Sequence, residues 1–126
     1  MKQSILLLSL GLSGLLGGGC QKEENTDKVL IRVKNTSSYQ FDSVYVATPG
    51  GTYQYGTVRA GQNSDYSVFT EAHSYAYVRV VVNGQRLVWQ PIDYVGSTPL
   101  PSGNYTYQVS VANLANSQLS ISLAKP

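Results

Sequence analysis

From Val29 to the C-terminus, apolar and polar residues alternate with a period of two rather than 3.6, as in strands with one buried face. In Asn104–Ala112, Tyr105, Tyr107, Val109 and Val111 share one face, and in Gln118–Ala124 so do Leu119, Ile121 and Leu123. The Thr, Gln, Ser and Ala residues between them are left for water. Tyr75–Val82 puts Ala76, Val78, Val80 and Val82 on one side and Tyr75, Tyr77, Arg79 and Val81 on the other. Runs rich in Val, Ile, Tyr or Thr add candidate strands at Val29–Lys34, Phe41–Thr48, Tyr53–Val58, Ser64–Glu71 and Gln85–Gln90. Pro49-Gly50-Gly51, Gly61-Gln62-Asn63 and Ser102-Gly103 break the chain between them. Asn83-Gly84 lies between two apolar runs and predicts a two-residue hairpin, because both turn positions need positive φ. Seven to eight short strands with regular turns predict an all-β fold, a single antiparallel β-sandwich over residues 29–126.

The N-terminus follows a different pattern. Lys2 precedes an apolar run from Ile5 to Leu16, then Gly17-Gly18-Gly19 and Cys20. The run is shorter than the roughly 20 residues that span a bilayer and fits the h-region of a signal peptide. The segment resembles a bacterial lipoprotein leader. Gly18 and Gly19 match the small positions of its lipobox, while Gly17 stands where Leu is usual and Leu16 lies one place early. The resemblance implies a signal peptide over 1–19, an acylated Cys20 (palmitate among its chains) and a tether over 20–28. A secretory leader with an incidental cysteine, or an uncleaved anchor, are the alternatives. Gln21-Lys22-Glu23-Glu24 resembles the export tether of Bacteroidota surface lipoproteins. It implies an outer-membrane protein on the cell surface; the periplasmic face is the alternative, with the run a plain solvated linker. As a flexible coil, the tether would hold the domain roughly 15 Å from the lipid.

Composition narrows the chemistry. Without Lys2, the nine Lys and Arg become eight against seven Asp and Glu, which leaves no basic field for nucleic acid. Cys20 is the only cysteine, so neither a disulfide nor a cysteine-ligated metal site is expected. His73 is the only histidine. With Glu71 it shares one strand face, a pairing that reads as solvated rather than metal-binding. There is no Gly-x-Ser-x-Gly elbow, no phosphate loop, and only scattered carboxylates in Asp42, Asp65, Glu71 and Asp93. These features predict a non-enzyme with no cofactor and no metal. A small hydrolase would need a cleft joining His73 to a carboxylate and a serine.

Leu100-Pro101-Ser102-Gly103-Asn104-Tyr105-Thr106-Tyr107-Gln108-Val109-Ser110-Val111 resembles the E–F corner and F strand of immunoglobulin-like and fibronectin-like domains. The resemblance implies an immunoglobulin-like sandwich in which Tyr105 or Tyr107 bonds back to the backbone. A transthyretin-like sandwich or a small barrel is the alternative.

Ten tyrosines, against two Phe and one Trp, suit either strand packing or a binding surface. Tyr53, Tyr55, Tyr75, Tyr77, Arg79 and Trp89 are the candidate ligand-binding residues. The segment Trp89–Gly96 leaves a strand into a loop, where its aromatics serve as a lid on the core or as a contact patch. Asp42-Ser43-Val44 resembles the Bacteroidota O-glycosylation acceptor and makes Ser43 a candidate glycan site. The function expected is a lipid-anchored, non-catalytic interaction or structural module, accessory to an outer-membrane assembly. Its partners would be the membrane, through its lipid, and an envelope protein. The alternative is glycan binding through the Tyr/Trp face, which burial of Tyr75, Tyr77 and Trp89 would remove.

Overall fold

A computed structural model of the chain describes residues 28–126; the expected leader, Cys20 and Gln21–Glu24 lie outside the described residues. All described secondary structure is β: β1 Val29–Asn35, β2 Ser43–Thr48, β3 Gly51–Gln54, β4 Ser67–Phe69, β5 Tyr77–Val82, β6 Gln85–Trp89, β7 Gly103–Asn113 and β8 Gln118–Ala124. Among the described residues no helix is long and apolar enough to cross a membrane.

The strands form one sheet in the order β3-β2-β5-β6-β8-β7-β1-β4. Its halves, β3-β2-β5-β6 and β8-β7-β1-β4, are joined through a single pair, Val88 with Gln118. At the other side β3 and β4 approach one another, so the sheet curls into a nearly closed, barrel-like shell. The all-β class holds, but the sheet is mixed rather than wholly antiparallel: β1 runs parallel to β7, and β6 parallel to β8. A period of two fixes which side chains face inward and carries no information about a strand's neighbour or its direction.

Ile31 and Val33 of β1, Val44 and Val46 of β2, Val78 and Val80 of β5, Leu87 of β6 and Tyr107 and Val109 of β7 are fully buried in one core. The inward face expected for β5 is therefore realised. Thr106, expected to face water, is buried instead, and its Oγ1 accepts a 3.0 Å hydrogen bond from Arg32 Nε on the parallel neighbour.

Local chemistry explains the boundaries. Asn83 and Gly84 have φ of 49° and 81°, and so form the two-residue turn between β5 and β6. The run Tyr53–Val58 keeps only its start as strand, because Gly56 turns the chain at φ 82°. Ser64–Glu71 is reduced to three residues, beyond which the chain crosses to β5.

Strand directions sort the connections into two ends. Lys28, the Pro49-Gly50 turn, residues 70–76, the loop 90–102 and Lys125 lie at the end where the chain enters β1, here the proximal end. Residues 36–42, 55–66, Asn83-Gly84 and 114–117 lie at the distal end.

Candidate functional site

The six candidate binding residues do not share one platform; the fold distributes them over three places. Tyr53 and Tyr55 sit where β3 approaches the other half of the sheet, their rings edge to face at 4.9 Å. Tyr55 donates a 2.6 Å hydrogen bond to the Ile31 carbonyl of β1, and burial pushes its hydroxyl far above the ordinary tyrosine value. It acts as a strut across the seam, while Tyr53 keeps 45% of its surface.

Tyr77 and Arg79 project from the outer face of β5. There they meet Tyr45 of β2, which sequence reasoning missed because an isolated tyrosine in a strand carries no signal. Tyr77 packs edge-on to Tyr45 at 6.1 Å, and the Arg79 guanidinium lies 4.5 Å above the Tyr45 ring. Ser43 is on the same outer face, two residues up β2, with its hydroxyl donating to Gln54 at 3.1 Å.

Tyr75 and Trp89 gather at the proximal end with Tyr94 of the 90–102 loop. Tyr75 lies 5.7 Å from Trp89 and stacks on Tyr94 at 5.4 Å with ring planes 6° apart. Its hydroxyl donates to the Asp93 carbonyl at 3.2 Å. Trp89 packs against the core with one side only. Tyr75, Tyr77 and Trp89 are each half-buried, so none is lost to the interior.

Two depressions run through this region. A cleft of about 730 Å³ opens where β6 parts from β8, lined by Tyr75, Trp89, Gln90, Asp93 and Gln118, with Ile92 at its edge. A shallower groove of about 360 Å³ adjoins it, lined by Tyr77, Tyr94 and Pro49. Gln90 and Pro91 line both, so a track of aromatics runs from Trp89 to Tyr77, whose ring edge meets Tyr45 on the outer face. Burial raises the Tyr94 hydroxyl above its ordinary value, while a backbone hydrogen bond at Tyr77 acts the other way. The Trp89–Gly96 segment is thus both lid and contact patch: Trp89 covers the core, and Tyr94 lines the groove.

His73 departs from its expected solvated state. It is 3% exposed and held at both ring nitrogens: Nε2 lies 2.9 Å from Glu71 Oε2, and Nδ1 lies 2.9 Å from Ser97 Oγ. A carboxylate only accepts, so in the neutral ring Nε2–H donates to Glu71 and the Ser97 hydroxyl donates to Nδ1. Tyr94 covers the ring at 4.9 Å, and the Tyr107 hydroxyl donates to the His73 carbonyl at 2.7 Å. Burial drives the Tyr107 hydroxyl well above its ordinary value.

Serine, histidine and carboxylate therefore meet with the connectivity of a nucleophilic triad. Their surroundings are those of a clasp. The amides of Val95, Ser97 and Leu100 donate to Asp93 Oδ1, the Tyr94 carbonyl and the Ala72 carbonyl, so this loop turns those three donors inward rather than toward an oxyanion. The contacts bind the 90–102 loop to residues 71–76. Among the described residues no three His, Cys, Asp or Glu side chains gather as a metal site would require.

The expected corner tyrosine is Tyr105, which donates to the Pro101 carbonyl four residues back at 2.8 Å. No known family and no curated protein matches this sequence. Among solved structures, the chain is similar to an NMR structure of a protein from Eubacterium rectale. The TM-score is 0.57 at 11% identity, covering 80% of this chain and 94% of that one. At that identity the likeness speaks for the fold alone.

Proposed function

We propose that this chain is a lipid-anchored lipoprotein of the outer membrane, facing the cell exterior, whose β-domain is a non-catalytic interaction module. The leader pattern, Cys20 and the Gln21–Glu24 tether support the location. The observation that carries the interaction role is the half-exposed aromatic track along a cleft. Rigid Tyr and Trp side chains supply contact area at low entropic cost, and half-exposure leaves that area available to a partner. The Glu71–His73–Ser97 clasp holds the loop that carries Tyr94, a structural role that needs no turnover.

Photo-cross-linking in living cells tests this reading. A cross-linking side chain replacing Tyr77 should trap an envelope protein, and one replacing Ser110 on the outer face of β7 should not. Equal trapping at both positions, or none at either, overturns a protein partner at this surface. Protease shaving of intact cells tests the location: peptides from residues 29–126 should be released while a periplasmic marker stays intact.

A second reading is glycan binding. The part-exposed Trp89 in the cleft wall, beside the polar ends of Gln90, Asp93 and Gln118, favours it, since sugars are held by stacking together with a few hydrogen bonds. Retention on a glycan array that Trp89→Ala abolishes would support it, and an array without retention would remove it.

A further inference from the structure

Among the large apolar side chains, two are exposed far beyond the rest. Ile92 is 99% exposed and Val95 is 87% exposed, three residues apart on the same loop. That loop is held in shape: Val95 N–H donates to Asp93 Oδ1, Ser97 N–H to the Tyr94 carbonyl, and Ser97 Oγ joins the clasp. An ordered loop that points its two apolar side chains outward leaves them for something outside the fold.

Their position says what that is. Gly103 N–H donates to the Lys28 carbonyl at 3.1 Å, so the loop leading into β7 ends beside the point where the chain enters β1. Residues 21–28 separate Cys20 from that point; even fully extended they reach no more than about 29 Å. An acylated Cys20 therefore keeps the proximal end close to the bilayer. Tyr75, Trp89 and Tyr94, gathered behind Ile92, are the residue types that collect at membrane–water interfaces. Lys28 and Lys125 at the same end offset the charges of Asp93 and Glu71.

We propose that Ile92 and Val95 insert into the headgroup–acyl boundary of the phospholipid bilayer that holds the chain's own lipid. The docked loop fixes the domain's orientation on that surface. This rests on the lipid-anchor reading above. Two apolar side chains would not hold a freely diffusing domain, but a tether this short makes the second contact intramolecular and raises its effective concentration. Once docked, the distal end faces away from the membrane and the cleft opens along its surface.

Trp89 is the only tryptophan, which makes it a reporter beside the loop. The acylated protein is reconstituted in vesicles of phosphatidylethanolamine and phosphatidylglycerol, with and without shallow brominated lipid. A second preparation, with a hexahistidine tag in place of residues 1–20, is held on the same vesicles by a nickel-chelating lipid. In both, quenching of Trp89 should exceed that of the Ile92→Asp/Val95→Asp variant by about twofold or more. Ile92→Ser/Val95→Ser should fall between them, with thermal unfolding unchanged in all. Equal quenching in wild type and variant overturns the docking. If the first preparation fails to float with the vesicles while the second is quenched as expected, the anchor reading falls and the docking stands.

Discussion

The two ends of the β-shell are closed by different means. At the distal end, Asn35 is fully buried. Its Nδ2 donates to the Tyr39 and Val58 carbonyls at 2.6 and 3.0 Å, while its Oδ1 accepts from the amide and hydroxyl of Ser37. Gln85 Nε2 ties the β5–β6 hairpin to the Leu114 carbonyl and Ser117, and Asp42 Oδ2 accepts from the Asn83 amide. There the connections bond to one another. At the proximal end the 90–102 loop bonds inward through Ser97 and Leu100 but turns Ile92, Val95 and a line of aromatics outward. The contrast is one of wiring: the distal connections pair their polar groups with one another, while the proximal loop leaves Ile92 and Val95 outside the core.

Mutations at the two ends should therefore behave differently. Asn35→Ala removes four hydrogen bonds at this hub, among them the acceptor of the Ser37 amide, and should cost about 3 kcal/mol in urea unfolding. It should leave Trp89 emission in the folded protein unchanged. Alkaline titration affects the seam and the proximal end together. Burial raises the Tyr55 and Tyr107 hydroxyls above the ordinary tyrosine value of about 10, so the stability they contribute is fully present below pH 10 and is lost as pH rises further. At pH 11 the loss should be about 2–3 kcal/mol, and Tyr55→Phe and Tyr107→Phe should each remove about half of the pH dependence. Tyrosinate absorbance followed through unfolding checks this.

Gly50→Ala would drive a Cβ into the Glu71 backbone, where only a backbone shift relieves it, and should cost about 2 kcal/mol. Because Glu71 is part of the clasp, that variant should also speed hydrogen exchange in residues 90–102. Tyr107→Phe strips the His73 carbonyl of its donor and should cost about 1 kcal/mol at neutral pH, with the same local signature. Ile92→Ser should change stability by no more than about 0.5 kcal/mol, since the side chain is almost fully exposed. A large loss there would mean that the side chain packs in the fold and is not free for a surface.

The sequence carried local chemistry well and long-range partnership poorly. The Asn83-Gly84 turn, the inward face of β5 and the corner bond of Tyr105 follow from residues close together in the chain. The pairing of β1 with β7 and the meeting of Tyr45 with Tyr77 and Arg79 depend on sheet order, which alternation does not encode. His73 shows the limit clearly. Its neighbour Glu71 was visible two residues away, but its burial depends on Ser97 and Tyr94, more than twenty residues on. Asn35 was hidden for a related reason: it directly follows the run Val29–Lys34 with no pattern to mark it, and only the loops it receives make it a hub.

The parallel pairing of β1 with β7 has a consequence in time. The first strand finds its main neighbour some seventy residues later, after every strand but one has been synthesised. Contacts this distant in sequence slow folding, because the loop must close before the pairing repays it. On the export route proposed above, that delay would keep the core open until the last strands had crossed the membrane.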